Sequence, residues 1–380
     1  MSDIFRLKKI DIFRVLFSCY TWDVEKVRPK LGIVQKGGAF FVRKKERLQE
    51  MNIQKCFRRN PLAYYGLSIA ASWAGVGSLM NSITITKTCG IVPSLIWAAA
   101  NIAACIIFGM IVCRLPTLRD VMRTRAARYL IGGMGIFHIW LNMNGIREIL
   151  SDTVIGAAGG EIIAYAVAIA FIAILLWRGM IRNILTDSIS WIAVYALIGL
   201  VTALAFWQNG GSMAGIPIGL EAESMWTGTE KAFLLLPGPF TFIYFYELMD
   251  YNEQNEDRTR RVDMQDAFTA GGLFFGAYMA FAFALAFTEF SPMLNIIKAI
   301  LISLVAISTI STFIYSIYVV FGAGLGLMID LIAVAFWNVF MDMGVMGVWT
   351  LVASIRVYIV AGFILAALAL AYKRKAKGCI

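Results

Sequence analysis

Histidine, cysteine motifs and charge are all scarce in this chain of 380 residues, and each scarcity removes a class of protein. There is one histidine, His138, and the six cysteines (Cys19, Cys56, Cys89, Cys105, Cys113 and Cys379) form no CxxC pair or Cys/His cluster. That pattern argues against a zinc site and against a disulfide framework. The cysteines read instead as small apolar fillers. Charged residues make up 15% of the chain, where a soluble domain carries about a quarter. Alternation at period two is missing too, so no stretch reads as a lipid-facing barrel strand. No nucleophile–base pair, phosphate-binding loop or metal cluster marks an enzyme.

What is present is apolar length. The chain is 59% hydrophobic with a mean hydropathy of +0.73. Its apolar runs are each close to the roughly 20 residues that cross a bilayer as helix. The net charge of +10 does not point to nucleic acid, because the Lys and Arg residues sit in the first 60 residues, in a few short loops and at the C-terminal end. Basic residues held on the cytoplasmic side give that distribution.

The N-terminal run Ile4-Phe5-Arg6-Leu7-Lys8-Lys9-Ile10 mixes apolar and basic residues at helical spacing and is too interrupted for a signal-peptide core. It reads as an amphipathic helix lying on the cytoplasmic leaflet, within a basic cytoplasmic segment over 1–60. The expected transmembrane core is 61–372 and the expected cytoplasmic tail 373–380. Within the core the apolar runs predict about ten spans, near 61–83, 91–113, 127–149, 160–177, 183–206, 231–249, 266–288, 294–321, 325–342 and 346–372. Arg114, Arg119, Arg123, Arg125 and Arg128 follow the second span, Arg178 and Arg182 precede the fifth, and Arg258, Arg260 and Arg261 precede the seventh. The alternate loops carry Asp152, Glu161, Glu221, Glu223 and Glu289. Both termini are therefore expected in the cytoplasm, with the chain multi-pass in a cytoplasmic (inner) membrane.

Such a count divides into two sets of five with opposite orientation, as in transporters whose first helix in each half is broken near the midplane. The first span carries Ala74-Gly75-Val76-Gly77 and the sixth Leu236-Pro237-Gly238-Pro239. Glycine tolerates unwound backbone and proline removes a helix hydrogen bond. In hydrocarbon the freed groups need partners, so such breaks persist where they line a cavity. Taken singly, Gly75 and Gly77 read equally as helix-packing positions and Pro237 and Pro239 as a simple kink.

Several stretches resemble the sodium:solute symporter family of the amino acid/polyamine/organocation superfamily. They are the small-residue first span (residues 67–80), the Leu115-Pro116-Thr117-Leu118 exit of the second, the loop ending in Thr186-Asp187, and Ala306-Ile307-Ser308-Thr309 in the eighth. The resemblance covers most of residues 60–345 and departs from the family pattern at Arg178 and Ser190. It implies an all-α five-plus-five inverted-repeat fold that couples sodium to symport of a small polar organic solute. No other cofactor is implied. By resemblance, a sodium ion is held by the carbonyls of Ala71, Ala74 and Val305 and the hydroxyls of Ser308 and Thr309, though Ser311 and Thr312 offer an alternative register. Both hydroxyls can equally bond back to carbonyls one turn earlier.

The expected substrate wall is Trp73, Ser78, His138, Asn142, Tyr244 and Trp349, with Asn81 and Arg356 as further polar residues. His138 and Asn142 share a face at i, i+4. Arg356 can instead snorkel to an interface or pair with Asp342 or Asp330. Asp187 and Glu247 are expected gate residues, each pairing with a nearby basic group; Asp187 can alternatively stabilise a helix N-terminus. Membrane lipids and the solute are the expected partners, and nucleic acid is not. Two other classes remain open: a receptor or sensor that keeps the transporter fold without transporting, and a structural membrane protein.

Overall fold

The computed structural model describes residues 60–376, apart from 152, 154, 176–179, 209, 211–216, 255–260 and 287–291. The amphipathic helix expected at the N-terminus lies outside the described residues. Among those described, every regular element is helical.

The first apolar run is two helices, α1 (Pro61–Trp73) and α2 (Val76–Cys89). Pro61 starts α1 because its fixed φ suits the first helical turn and its missing N–H is not needed there. Ala74 and Gly75 leave helical geometry, with Gly75 extended at φ −78° and ψ 172°. Gly90 turns the chain at φ 104°, a conformation open to glycine. There follow α3 (Ile91–Arg114), a short α4 (Pro116–Met122), α5 (Arg125–Ser151), α6 (Gly156–Leu175) and α7 (Met180–Gln208).

The second break lies between α8 (Ala222–Leu235) and α9 (Ile243–Gln254). Pro237 and Pro239 donate no backbone hydrogen bond, so the chain tightens into a 3-10 turn over Gly238–Thr241. The two helices are bent by 43° at this turn. The chain ends with α10 (Met264–Leu285), α11 (Pro292–Phe321), α12 (Ala323–Ala335), the short α13 (Asn338–Met341) and α14 (Gly344–Ala376).

Over the described residues, each expected apolar segment overlaps one helix or two consecutive ones. The sixth needs correction: expected at 231–249, it begins at Ala222. Its first turns carry Glu223, Glu230 and Lys231, so apolarity alone locates only the second half. Among the described residues, six helices are long and apolar enough to cross a membrane, or seven if the bent pair is one span. Large apolar side chains such as Ile162, Trp226, Tyr358 and Leu365 stand exposed on the outside, while Trp97, Trp191, Trp337 and Tyr278 are fully buried. Apolar faces both inside and outside are what a helix bundle in lipid presents.

At one end of the bundle, three segments meet through ion pairs. Arg123, at the C-terminal end of α4, bonds Asp250 at 2.5 Å and Glu253 at 2.8 Å on α9, and Arg119 also pairs with Glu253. Arg128 of α5 reaches Asp250 at 2.9 Å, and Arg374 of α14 reaches Asp120 at 2.8 Å. The 114–128 connection, the end of α9 and the C-terminal end of α14 therefore share one end. Arg119 is held below its ordinary pKa by partial burial and then by neighbouring Arg123, with Asp250 opposing.

Candidate functional site

The two breaks face one buried cavity. Its wall takes Trp73, Gly75 and Ser78 from the first break, Leu235 and Phe242 from the second, His138 and Asn142 from α5, Thr309 from α11, and Trp349 and Arg356 from α14. Its volume is about 30 Å³, above the roughly 10–15 Å³ that a single water needs.

Hydrogen bonds hold the first break open. The amide of Gly75, which would have closed on Ala71 in a continuous helix, donates to Trp73 O at 3.0 Å. The amide of Ser78, which would have closed on Ala74, donates to Gly75 O at 3.0 Å. Both alanine carbonyls are thereby released from the helix ladder, and both residues are fully buried. Asn142 bridges across: its Oδ1 accepts from Val76 N at 3.1 Å and its Nδ2 donates to His138 O at 2.7 Å. A buried amide at a helix start needs such a partner, and α5 supplies it.

On the opposite side, Arg356 is 2% exposed, and its NH2 group lies 3.0 Å from His138 Nε2. Arginine has only donors, so Nε2 accepts and the imidazole proton sits on Nδ1. His138 is stacked on Phe313, with ring centroids 4.4 Å apart. Trp73 meets Phe242 edge-on at 4.9 Å.

A second cluster lies deeper. The Asp187 carboxylate accepts from Ser68 Oγ at 3.2 Å, from Ser308 Oγ at 3.3 Å and from Tyr244 OH at 3.5 Å, and Ser68 and Tyr244 are 2.8 Å apart. These groups come from α7, α1, α11 and α9, so one buried carboxylate joins both broken spans to two other helices. Such a set of oxygens suits a proton or a hard monovalent cation. Among the described residues, no group of three or more His, Cys, Asp or Glu side chains converges as a metal-ligand set.

The cavity thus gathers Trp73, Ser78, His138, Asn142 and Trp349 from the expected wall, together with Thr309. Tyr244 lies elsewhere, in the Asp187 cluster. Of the expected sodium ligands, Ser308 reaches Asp187, whereas Thr309 Oγ1 donates to Val305 O at 3.1 Å and so occupies both groups in a helix back-bond. Ser311 and Thr312 bond back to Ser308 O. Asn81 donates to Gly77 O on its own helix.

Asp187 lies about two turns into α7 rather than in its first turn, because the helix starts at Met180. Glu247 is buried with Ser316 Oγ donating to it at 3.3 Å, and the loop arginines pair instead with Asp250 and Glu253, further along α9. Arg356 meets neither Asp342 nor Asp330, because its side chain turns inward to His138. Ser68 was not anticipated. Its only sequence signal is its place one turn before Ala71 and Ser72.

The helices and the buried polar site define an all-helical, multi-pass membrane protein with interrupted helices around an internal cavity. No protein family matches the chain, and no curated protein matches it. A crystal structure of an Eremococcus coleocola manganese transporter, in complex with an aromatic bis-isothiourea substituted compound, aligns over 90% of this chain and 75% of its own. The identity is 12% and the TM-score 0.36, at which the likeness carries no weight for fold or function.

Proposed function

We propose that the protein is a sodium-coupled secondary transporter that moves a small polar organic solute by alternating access. The observation that carries this reading is the convergence of two broken helices on one small cavity, together with a buried carboxylate bonded to both of them. Irregular backbone inside a membrane is stable where it lines a cavity, and an ionisable group buried there marks a functional site. The reading takes α1/α2 and α8/α9 as the opening spans of two inverted halves. The remaining long helices and α12 complete the five-plus-five arrangement of the sodium:solute symporters. The end bearing Arg123 and Arg374 faces the cytoplasm, and residues 1–60 and 373–380 lie on that side.

The sodium site is Asp187, Ser68 and Ser308 with the released carbonyls of Ala71 and Ala74. Sodium is a hard cation that prefers oxygen, and these groups supply one full charge and several dipoles. The test is uptake of a panel of labelled solutes by proteoliposomes under an inward sodium gradient, with a potassium gradient as control. Sodium-driven accumulation of at least one solute is expected, abolished in D187N and reduced in S308A. Uptake of no solute under either gradient would overturn the transporter reading. Uptake driven equally by potassium, or an unchanged sodium response in D187N, would overturn the cation site.

A further inference from the structure

Arg356 is a buried cation with no counter-charge. It lines the cavity at 2% exposure, and among the described residues no carboxylate pairs with it. Its one side-chain hydrogen bond goes to a neutral imidazole, and its Nε has no acceptor. The ring of Phe242 lies 5.9 Å from the guanidinium carbon, a contact too weak to replace an anion. Guanidinium does not deprotonate in proteins, and burying a charge without a partner is costly. Gly238 keeps this side open: a Cβ there would stand 2.9 Å from NH1.

The wall as a whole carries this one positive charge and no Asp or Glu. Its remaining surface is largely aromatic and apolar, with Trp73, Phe242 and Trp349. A bound cation would meet Arg356 with nothing to offset the repulsion. An amino acid would bring an ammonium group that finds no carboxylate on the wall, and a dicarboxylate would bring a second negative charge with no second cation. An inorganic anion would leave the aromatic surface unused. We infer that the solute held in this cavity is a small organic monocarboxylate. Its carboxylate is bound by Arg356 through charge-assisted hydrogen bonds and its apolar body rests against the aromatic wall. At about 30 Å³ the cavity is too small for such a solute as it stands, so its walls must part to admit one. This deepens the transporter reading by naming the substrate class.

The experiment is thermal unfolding and tryptophan fluorescence of the full-length protein in detergent, with sodium held constant. The probes are propionate and benzoate, their neutral counterparts propionamide and benzamide, and alanine, succinate, choline and chloride. Saturable stabilisation by a monocarboxylate, with no effect of its amide, is expected. Half-saturation should weaken by about 10- to 100-fold in R356Q, the loss expected for one charge-assisted hydrogen bond, and by less in R356K. The acid–amide comparison needs no variant, so it stands even if R356Q fails to fold. Stabilisation by amides as strong as by acids, by alanine, succinate, choline or chloride in preference to monocarboxylates, or by no monocarboxylate at all, would overturn the inference. Monocarboxylate binding without sodium-driven uptake would support it and sink only the transport reading.

Discussion

Arg356 of α14 and His138 of α5 meet at 3.0 Å on the cavity wall, although 218 residues separate them. The contact joins a helix near the end of the chain to the helix whose Asn142 holds the first break. Among the described residues, His138 is the only group accepting a hydrogen bond from that guanidinium, so its acceptor nitrogen matters more than its basicity. Replacing it with Phe preserves the stack on Phe313 but removes the acceptor. H138F is expected to lower stability by about 1–3 kcal/mol, the cost of leaving a buried donor unsatisfied. H138Q, which keeps an acceptor, should lose less. Thermal unfolding in detergent compares the two, and an H138F protein as stable as wild type would show that the pair contributes nothing.

Asp330 on α12 poses the opposite problem. It is fully buried, and among the described residues neither carboxylate oxygen has a hydrogen-bond partner. An uncompensated buried acid opposes folding, so D330N, or D330L where packing permits, should raise the unfolding temperature, by an amount corresponding to about 1–3 kcal/mol. A fall in stability in both variants would mean that the carboxylate is satisfied by a group that binds in the membrane.

Gly238 lies under the ring of Trp73 and beside Arg356, within the second break. An alanine methyl there has no room unless one of those side chains moves. G238A should therefore cost about 1–3 kcal/mol by overpacking and remove carboxylate binding together with sodium-driven uptake. Normal uptake in G238A would show that the break relaxes without disturbing the site.

The ion pairs at one end make Asp250 a latch between α9 and the 114–128 connection. Single exposed pairs contribute about 0–1 kcal/mol, but Asp250 joins Arg123 and Arg128 at once. D250K should loosen that end and speed maleimide labelling of a cysteine at position 309, by about fivefold for each kcal/mol of pairing lost. An unchanged rate would exclude the latch.

Topology is tested separately. Arg374 and Asp120 bond at 2.8 Å, so positions 120 and 375 must share a side. Cysteines placed there should resist a membrane-impermeant label added outside intact cells and react after permeabilisation. Labelling of either from outside would reverse the proposed orientation, and labelling of only one would contradict the fold.

Where the helices lie was legible in the sequence because apolar length and backbone chemistry act locally. The second span was expected at 91–113 and is Ile91–Arg114, and the third was expected at 127–149 and is Arg125–Ser151. Glycine near 75 and proline near 237 permit an interruption locally, and the partners that hold each one come from the surrounding helices. The i, i+4 spacing of His138 and Asn142 put both on one face, and both line the cavity. What a buried polar group touches is settled instead by partners remote in sequence, and only the tertiary structure decided it. Arg356 reads locally as facing the solute, snorkelling, or pairing with Asp330 or Asp342; packing of α14 against α5 puts it on the cavity wall with His138 as its partner. Asp187 read as a gate or a helix-start residue, yet Ser68, Ser308 and Tyr244 arrive from three other helices to bond its carboxylate. In an apolar interior each polar side chain must find whichever donor or acceptor the bundle brings within about 3 Å, and that choice is made by helix packing.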